Sequence, residues 1–230
     1  VVSAVQAAEL RTAQTGIRTV VNRVLTGYFN SLNLNRPEAA RDALLTFVPT
    51  LVAQYGQTAA DVAADWYDEM RAVESVPGRY RAEPQESPYT DAVDPMVRRA
   101  AGALFTADPR GALVTLTGSA SKYVLAAGRQ TIVTATDRDP RARGWSRVTR
   151  SGACKFCQML AGRPGAVYTE RSAHFAAHGD CNCASVPSWD PNAPEVDVAQ
   201  YEASKRTTAM TPEEKAQHNA LIRRAVEQYT

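Results

Sequence analysis

The chain has 230 residues, 26 Lys and Arg against 24 Asp and Glu, and 44% hydrophobic residues. At roughly 100–200 residues per domain, this is one or two domains of ordinary globular composition, which excludes disorder along the whole chain. The formal charge of +2 argues against a dedicated nucleic-acid binder whose affinity comes from neutralising phosphates. No run approaches the roughly 18 uncharged apolar residues of a membrane span. The opening VVSAVQAAELR lacks the basic region of a secretory signal, and Glu9 interrupts its apolar run. Abundant alanine and only 7% aromatic residues favour helices packed through small side chains, with few and short strands.

Taken in chain order, Ile17, Val20, Val21, Val24, Leu25, Tyr28, Phe29 and Leu32 form the stripe of an amphipathic helix. Pro37 suits the first position of a second helix, which presents Leu44, Phe47, Val48, Leu51 and Tyr55. Pro49 is expected to kink or split it, Gly56 to end it, and Thr58 to cap a third helix with Val62, Trp66, Met70 and Val73 buried. The stretch 76–94, with Pro77, Gly78, Pro84 and Pro88, reads as an extended connection, either a surface loop or a contact arm. Two Asp-Pro pairs, Asp94-Pro95 and Asp108-Pro109, mark helix starts. The first carries Val97, Ala100, Ala101, Leu104 and Phe105. The second carries Leu113, Leu116, Ala120, Tyr123, Val124 and Ala127 to about Asp137, weakened by Gly128. Thr211-Pro212-Glu213-Glu214 is a capping box that opens a final helix.

The fold expected is mainly α: a helical part over 1–137 with its loop at 76–94, a small α+β Cys/His module over 138–190, and a C-terminal helical tail over 191–230. All four cysteines fall in the module, as Cys154, Cys157, Cys181 and Cys183, with His174 and His178 between them. The spacing is C-x2-C-x20-H-x2-C-x-C. A C-x2-C turn brings two sulfurs close together, and residues two apart in an extended segment share a face, so Cys181 and Cys183 can both point at the first pair. Zinc takes four tetrahedral nitrogen or sulfur ligands in a structural site. The candidate ligands are Cys154, Cys157, His178, Cys181 and Cys183, as four thiolates or as His178 with three of them. A module of about 45 residues buries too little apolar surface to hold alone, and a metal would supply folding free energy. Disulfides paired across the two halves, or buried unliganded cysteines, are the alternatives.

A nucleophilic reading places Cys157 beside His178 and Asp180 as thiol, base and orienter. Four clustered cysteines are a poor background for one activated thiolate, and no local protease signature surrounds them. A zinc deaminase is disfavoured because its H-x-E element is absent. Arg138, Arg141, Arg143, Arg147, Arg150 and Lys155 cluster before and within the module, where they meet either phosphates, an acidic protein surface or solvent. Trp145 and Trp189 are expected to pack against the module.

The run Trp145-Ser146-Arg147, then Cys154-x2-Cys157, Leu160-x-Gly162, Tyr168 and His178-x2-Cys181-x-Cys183 with Pro187 resembles the MuF-type minor head proteins of tailed bacteriophages. That family ends its motif with H-P-x-C-R-C, where this chain has His178-Gly179-Asp180-Cys181-Asn182-Cys183. Gly179 and Asn182 replace the motif's Pro and Arg, which keeps the Cys/His frame and weakens any role assigned to that arginine. The motif covers about 45 residues. Tyr55-Gly56 and Ala63 to Met70 are also similar to actinobacterial-phage members. The resemblance implies a structural minor capsid protein inside the head or at the portal vertex, made in the host cytoplasm during assembly. Its partners would be portal, capsid or scaffold protein, with packaged DNA as a further candidate, and it would serve head assembly or DNA delivery. A cysteine-type capsid maturation protease and a DNA-binding zinc module are the alternatives.

Overall fold

Ser3 opens the first helix, α1 (Ala4–Ser31), with a capping box: the Gln6 amide donates to its hydroxyl, and the Gln6 side chain accepts from its backbone. That cap lies well before the apolar stripe and lets Ala7 and Leu10 join the buried face. The computed structural model describes residues 2–149, 152–153, 155–162, 165–169, 175, 183–196 and 210–227, with the backbone alone at 156, 218, 222, 223 and 225–227.

Pro37 starts α2 as expected, but α2 is one helix, Pro37–Val73, rather than two. Pro49 sits inside it at a half-buried position. The lost backbone bond is outweighed by burial on either side, where Leu44, Val48, Leu51 and Val52 enter one core with Val21, Leu25 and Phe29 of α1. Gly56 does not end the helix; an added Cβ would lie 3.9 Å from the Ala127 Cβ, so it marks a helix contact. Thr58 caps nothing and donates back to the Gln54 carbonyl. The true end is a Schellman turn. Val76 N–H reaches the Arg71 carbonyl and Ser75 N–H the Ala72 carbonyl, with Ser75 at φ 50°.

The connection 76–89 is laid over the protein's own helices. Ala82 N–H donates to the Asp68 carboxylate, Gln85 N–H to the Thr131 hydroxyl, and the Ser87 hydroxyl to the Tyr123 carbonyl. A 3-10 turn (Thr90–Ala92) then leads into α3 (Val93–Ala101), one residue ahead of the expected Asp94 cap. Asp94 lies in the first turn, and Pro95 takes a position whose N–H has no helical partner anyway. A second 3-10 turn (Gly102–Phe105) leaves Phe105 half exposed, off the expected buried stripe. Residues 108–110 form a turn rather than a helix start, and α4 runs Gly111–Arg138.

The α2–α4 seam is built from small residues. A Cβ on Gly128 would fall 2.6 Å from the Ala59 carbonyl oxygen and 3.5 Å from the Ala63 Cβ. Gly128 therefore sets the closest approach of the two helices, and the propensity it forfeits is returned in packing.

Beyond α4, β1 (Gly144–Val148) pairs antiparallel with β2 (Ala184–Ser188), Trp145 lying opposite Pro187. A short helix, α5 (Lys155–Ala161), lies between the strands in sequence. β2 packs on the bundle: Ala184 and Val186 join Leu10, Ala63, Trp66, Tyr67 and Ile132 in one buried cluster. The molecule is mainly helical with this single two-stranded sheet among the described residues. The final helix, α6 (Pro212–Glu227), carries the expected capping box: Thr211 N–H donates to the Glu214 carboxylate, and Glu214 N–H to the Thr211 hydroxyl. Of the helical tail expected over 191–230, residues 191–196 form a turn and a bridge to Val167 and not a helix, and 197–209 and 228–230 lie outside the described residues. No helix among the described residues is long and apolar enough to cross a membrane.

Candidate functional site

Two of the five candidate ligands are described, and they come together. Cys157 projects from α5 and Cys183 stands one residue before β2. Both are 2% exposed and share a small buried cluster with Phe175 and Ala153. Cys154, His178 and Cys181 lie outside the described residues, as do Asp180 of the nucleophilic reading, His174 and Arg150. Among the described residues, no group of three or more His, Cys, Asp or Glu is placed to hold a metal.

Each sulfur-bearing stretch is fixed by backbone-directed bonds. Trp145 and Tyr168 exchange two backbone hydrogen bonds, of 2.9 and 2.7 Å, and the Tyr168 hydroxyl donates to the Leu160 carbonyl at 2.9 Å. α5, and Cys157 with it, is thereby tied to the β1 side of the sheet. Gly144 permits this: a Cβ there would lie 2.4 Å from the Tyr168 carbonyl oxygen. On the other side, Arg129 of α4 donates from Nε to the Cys183 carbonyl at 3.0 Å, and the Ser185 hydroxyl donates to the Arg129 carbonyl. The two cysteines are thus carried to one place by elements anchored separately.

Around them the chemistry is cationic and aromatic. Arg147 is 3.9 Å from the Phe175 ring centroid and Arg129 is 5.1 Å from it, both guanidiniums being buried. Trp145 stacks on Tyr168 at 4.8 Å and lies 5.4 Å from Phe175. The Phe175 ring that these guanidiniums face also packs on the two cysteines, so their charge would complement the net negative charge of a zinc ion held by three or four thiolates. The donor chemistry of the two described cysteines fits such an ion.

Of the basic residues read as one cluster, Arg147 is buried, while Arg138, Arg141, Arg143 and Lys155 are exposed. Arg143 donates to the Ala193 carbonyl, and Arg138 pairs with Glu83 at 3.1 Å. Trp189 lies at the seam of module and bundle: its ring meets Tyr67 of α2 edge-on at 5.3 Å, it packs on the cluster that holds Ala184 and Val186, and its indole N–H donates to Asp139 at 3.0 Å.

Asp139 is the joint between the two parts. Its fully buried carboxylate accepts from Arg71 Nε at 2.9 Å, Tyr67 Oη at 3.1 Å and Trp189 Nε1, and from the Arg141 N–H. Burial alone would raise its pKa. The hydrogen bonds from Trp189 and Arg71 win and hold it below the ordinary carboxylate range. The Tyr67 hydroxyl is pushed well above the ordinary phenol range, by burial first and then by the Asp139 charge. Arg71 also donates to the Val76, Pro77 and Gly78 carbonyls, clasping the start of the 76–89 connection, a strap across the bundle. α1 adds a further tie, Arg11 donating to the Thr149 carbonyl.

Sequence reasoning passed over Arg71 and Arg129. The available signal was an arginine set on an otherwise apolar helical face, as Arg71 follows Tyr67 and Met70 and Arg129 follows Ala126 and Ala127.

No curated protein and no solved structure matches this chain. The family model described as VG15 protein matches residues 1–206, which takes in every element from α1 to β2 and all four cysteines.

Proposed function

The chain belongs to the VG15 protein family, a phage-related family of viral gene 15 proteins, and from that premise we propose a structural, non-enzymatic role in the head of a tailed phage. The finer reading is a MuF-like minor capsid protein at the head interior or portal vertex. It would act in head assembly or DNA delivery through contacts with portal, capsid or scaffold protein. The observation that carries it is the meeting of Cys157 and Cys183 in one buried cluster, the pairing that the Cys/His frame of that motif requires. Zinc held by Cys157 and Cys183, completed from Cys154, Cys181 and His178, would supply folding free energy to a module with little apolar core of its own. Arg129 and Arg147 would balance the thiolate charge.

Burial supports this over the protease reading: a Cys157 thiol that is 2% exposed gives a polypeptide substrate no approach. The near-neutral formal charge of +2 weighs against the DNA-binding reading, whose affinity would come from neutralising phosphates.

The test uses purified virions and the purified full chain. Mass spectrometry of fractionated virions is expected to find the chain in heads and not in tails, and metal analysis about one zinc per chain. Absence from assembled heads overturns the structural role. A metal-free chain with intact disulfides overturns the zinc. Loss of head-protein cleavage in a Cys157→Ala phage whose protein remains folded overturns the non-enzymatic reading.

A further inference from the structure

The inward-turned arginines of this molecule each meet an acceptor: Arg71 the Asp139 carboxylate, Arg129 the Cys183 carbonyl and Arg11 the Thr149 carbonyl. Lys122 of α4 does not. It is half-buried, and among the described residues its ammonium has neither a hydrogen bond nor an ion pair. It lies instead 4.8 Å from the Tyr89 ring centroid and 5.8 Å from that of Tyr123. The charges that act on it are cationic. Burial first, and then Arg129 and Arg99, push the amine below the ordinary lysine range. Arg99 is exposed on α3 and is likewise without an ion pair or hydrogen bond among the described residues.

The end of the strap builds a fixed floor under that ammonium. The Ser87 hydroxyl donates to the Tyr123 carbonyl at 2.8 Å and accepts from the Tyr89 N–H at 3.4 Å, which holds Tyr89 against α4. The two rings stack with centroids 5.0 Å apart. Their faces favour a cation, while the neighbouring arginines oppose it. Neither tyrosine hydroxyl has a hydrogen-bond partner among the described residues. Ammonium, guanidinium and phenols can all donate here, and no carboxylate figures among the charges acting on Lys122. A ligand that completes such a set is anionic and brings several acceptor oxygens. A phosphate group presents more of them than a carboxylate.

We propose that Lys122 and Arg99, over the Tyr89–Tyr123 floor, form a binding site for a phosphate oxyanion. Lys122 supplies a point charge and Arg99 a planar fork that matches phosphate oxygens. The anion relieves the repulsion between the two cations and the Arg129 charge. A site of two cations agrees with a chain of formal charge +2, because it is a local contact and not a track along nucleic acid. The oxyanion is either a phosphodiester of nucleic acid or free phosphate, and the experiment separates the two.

The chain has four lysines, Lys122, Lys155, Lys205 and Lys215, so carbon-13 labelling at lysine Cε gives a simple NMR spectrum of the full chain. Lys122→Arg identifies the Lys122 signal by removing it. The labelled chain is titrated with inorganic phosphate, sodium chloride holding the ionic strength constant. It is titrated separately with single-stranded oligothymidylate that lacks terminal phosphates. The Lys122 signal is expected to shift and saturate, while the exposed Lys155 and Lys215 do not respond. Arg99→Gln, at an exposed helix position, is expected to weaken binding about tenfold. Tyr89→Phe keeps the ring and is expected to cost less. Saturation by phosphate alone assigns free phosphate, and saturation by the oligonucleotide at lower concentration assigns nucleic acid. Either supports the site. A Lys122 signal that saturates with neither probe overturns it. So does an equal shift at Lys215, or Arg99→Gln binding like wild type.

Discussion

The four helices of the bundle and the small sheet that leans on them are held in different ways. The bundle buries Val, Leu, Ala and Phe against one another, and Val21, Leu25, Leu44, Val48 and Leu116 are fully enclosed. The sheet region buries apolar Trp145, Val167, Tyr168 and Val186 together with Arg147, Cys157, Cys183, Ser185 and Ser188. An apolar interior tolerates many sequences of similar volume. An interior of cations, thiols and hydroxyls is stable only where each group meets its partner. The bundle is therefore a platform that stands by packing. The cysteine region is a specified arrangement, which stands because α4 and Asp139 hold it and, as proposed, because an ion ties its two halves.

The largest effect should come from the joint itself. Asp139→Ala leaves the buried Arg71 charge without its counter-ion and is expected to destabilise by about 3–5 kcal/mol in urea denaturation, with both regions unfolding earlier. Acid titration sharpens the same point. Because the folded Asp139 pKa lies below its unfolded value, its contribution is present above the ordinary carboxylate range and is lost as pH falls through the depressed value. The acid limb of a stability–pH profile is expected to flatten in Asp139→Asn.

A lesion confined to the bundle comes next. Gly128→Val drives a side chain into the Ala59 carbonyl and is expected to remove about 2–3 kcal/mol from the thermal stability of the helices. The reverse lesion, Cys157→Ala, should take about 1–2 kcal/mol from the sheet region. The near-UV signal of Trp145 should fall while far-UV helical signal persists, and chelator treatment of the wild-type chain should do the same. Equal loss of both signals would erase the distinction drawn between the regions. The smallest change is a gain: Ser75→Gly relieves a left-handed serine in the Schellman turn and is expected to add about 0.5–1 kcal/mol, read as a raised urea midpoint.

Much of the helical part was legible from local chemistry. The stripe through Val21, Leu25 and Phe29, the end of α4 near Asp137 and the Thr211–Glu214 box all rest on residues three or four apart. The continuity of α2 was not legible, since Pro49 and Gly56 are breakers in isolation and only the cores beside them override that. The approach of Cys157 to Cys183 followed from spacing. Its cationic surroundings did not, because Arg129 lies 54 residues from the Cys183 carbonyl that it binds. The Trp189 indole bond was not legible for a similar reason, its acceptor Asp139 being 50 residues away in sequence.

The strap over 76–89 imposes an order of events on the folding chain. Its start is clasped by Arg71 from the same stretch of sequence, so it can settle early on α2. The acceptors for Gln85 N–H and the Ser87 hydroxyl belong to α4, 46 and 36 residues further on. Those bonds cannot form until α4 has docked, which makes the Gln85 amide a timer for that step. In pulsed hydrogen exchange during refolding, it should gain protection only after the α2–α4 seam has closed.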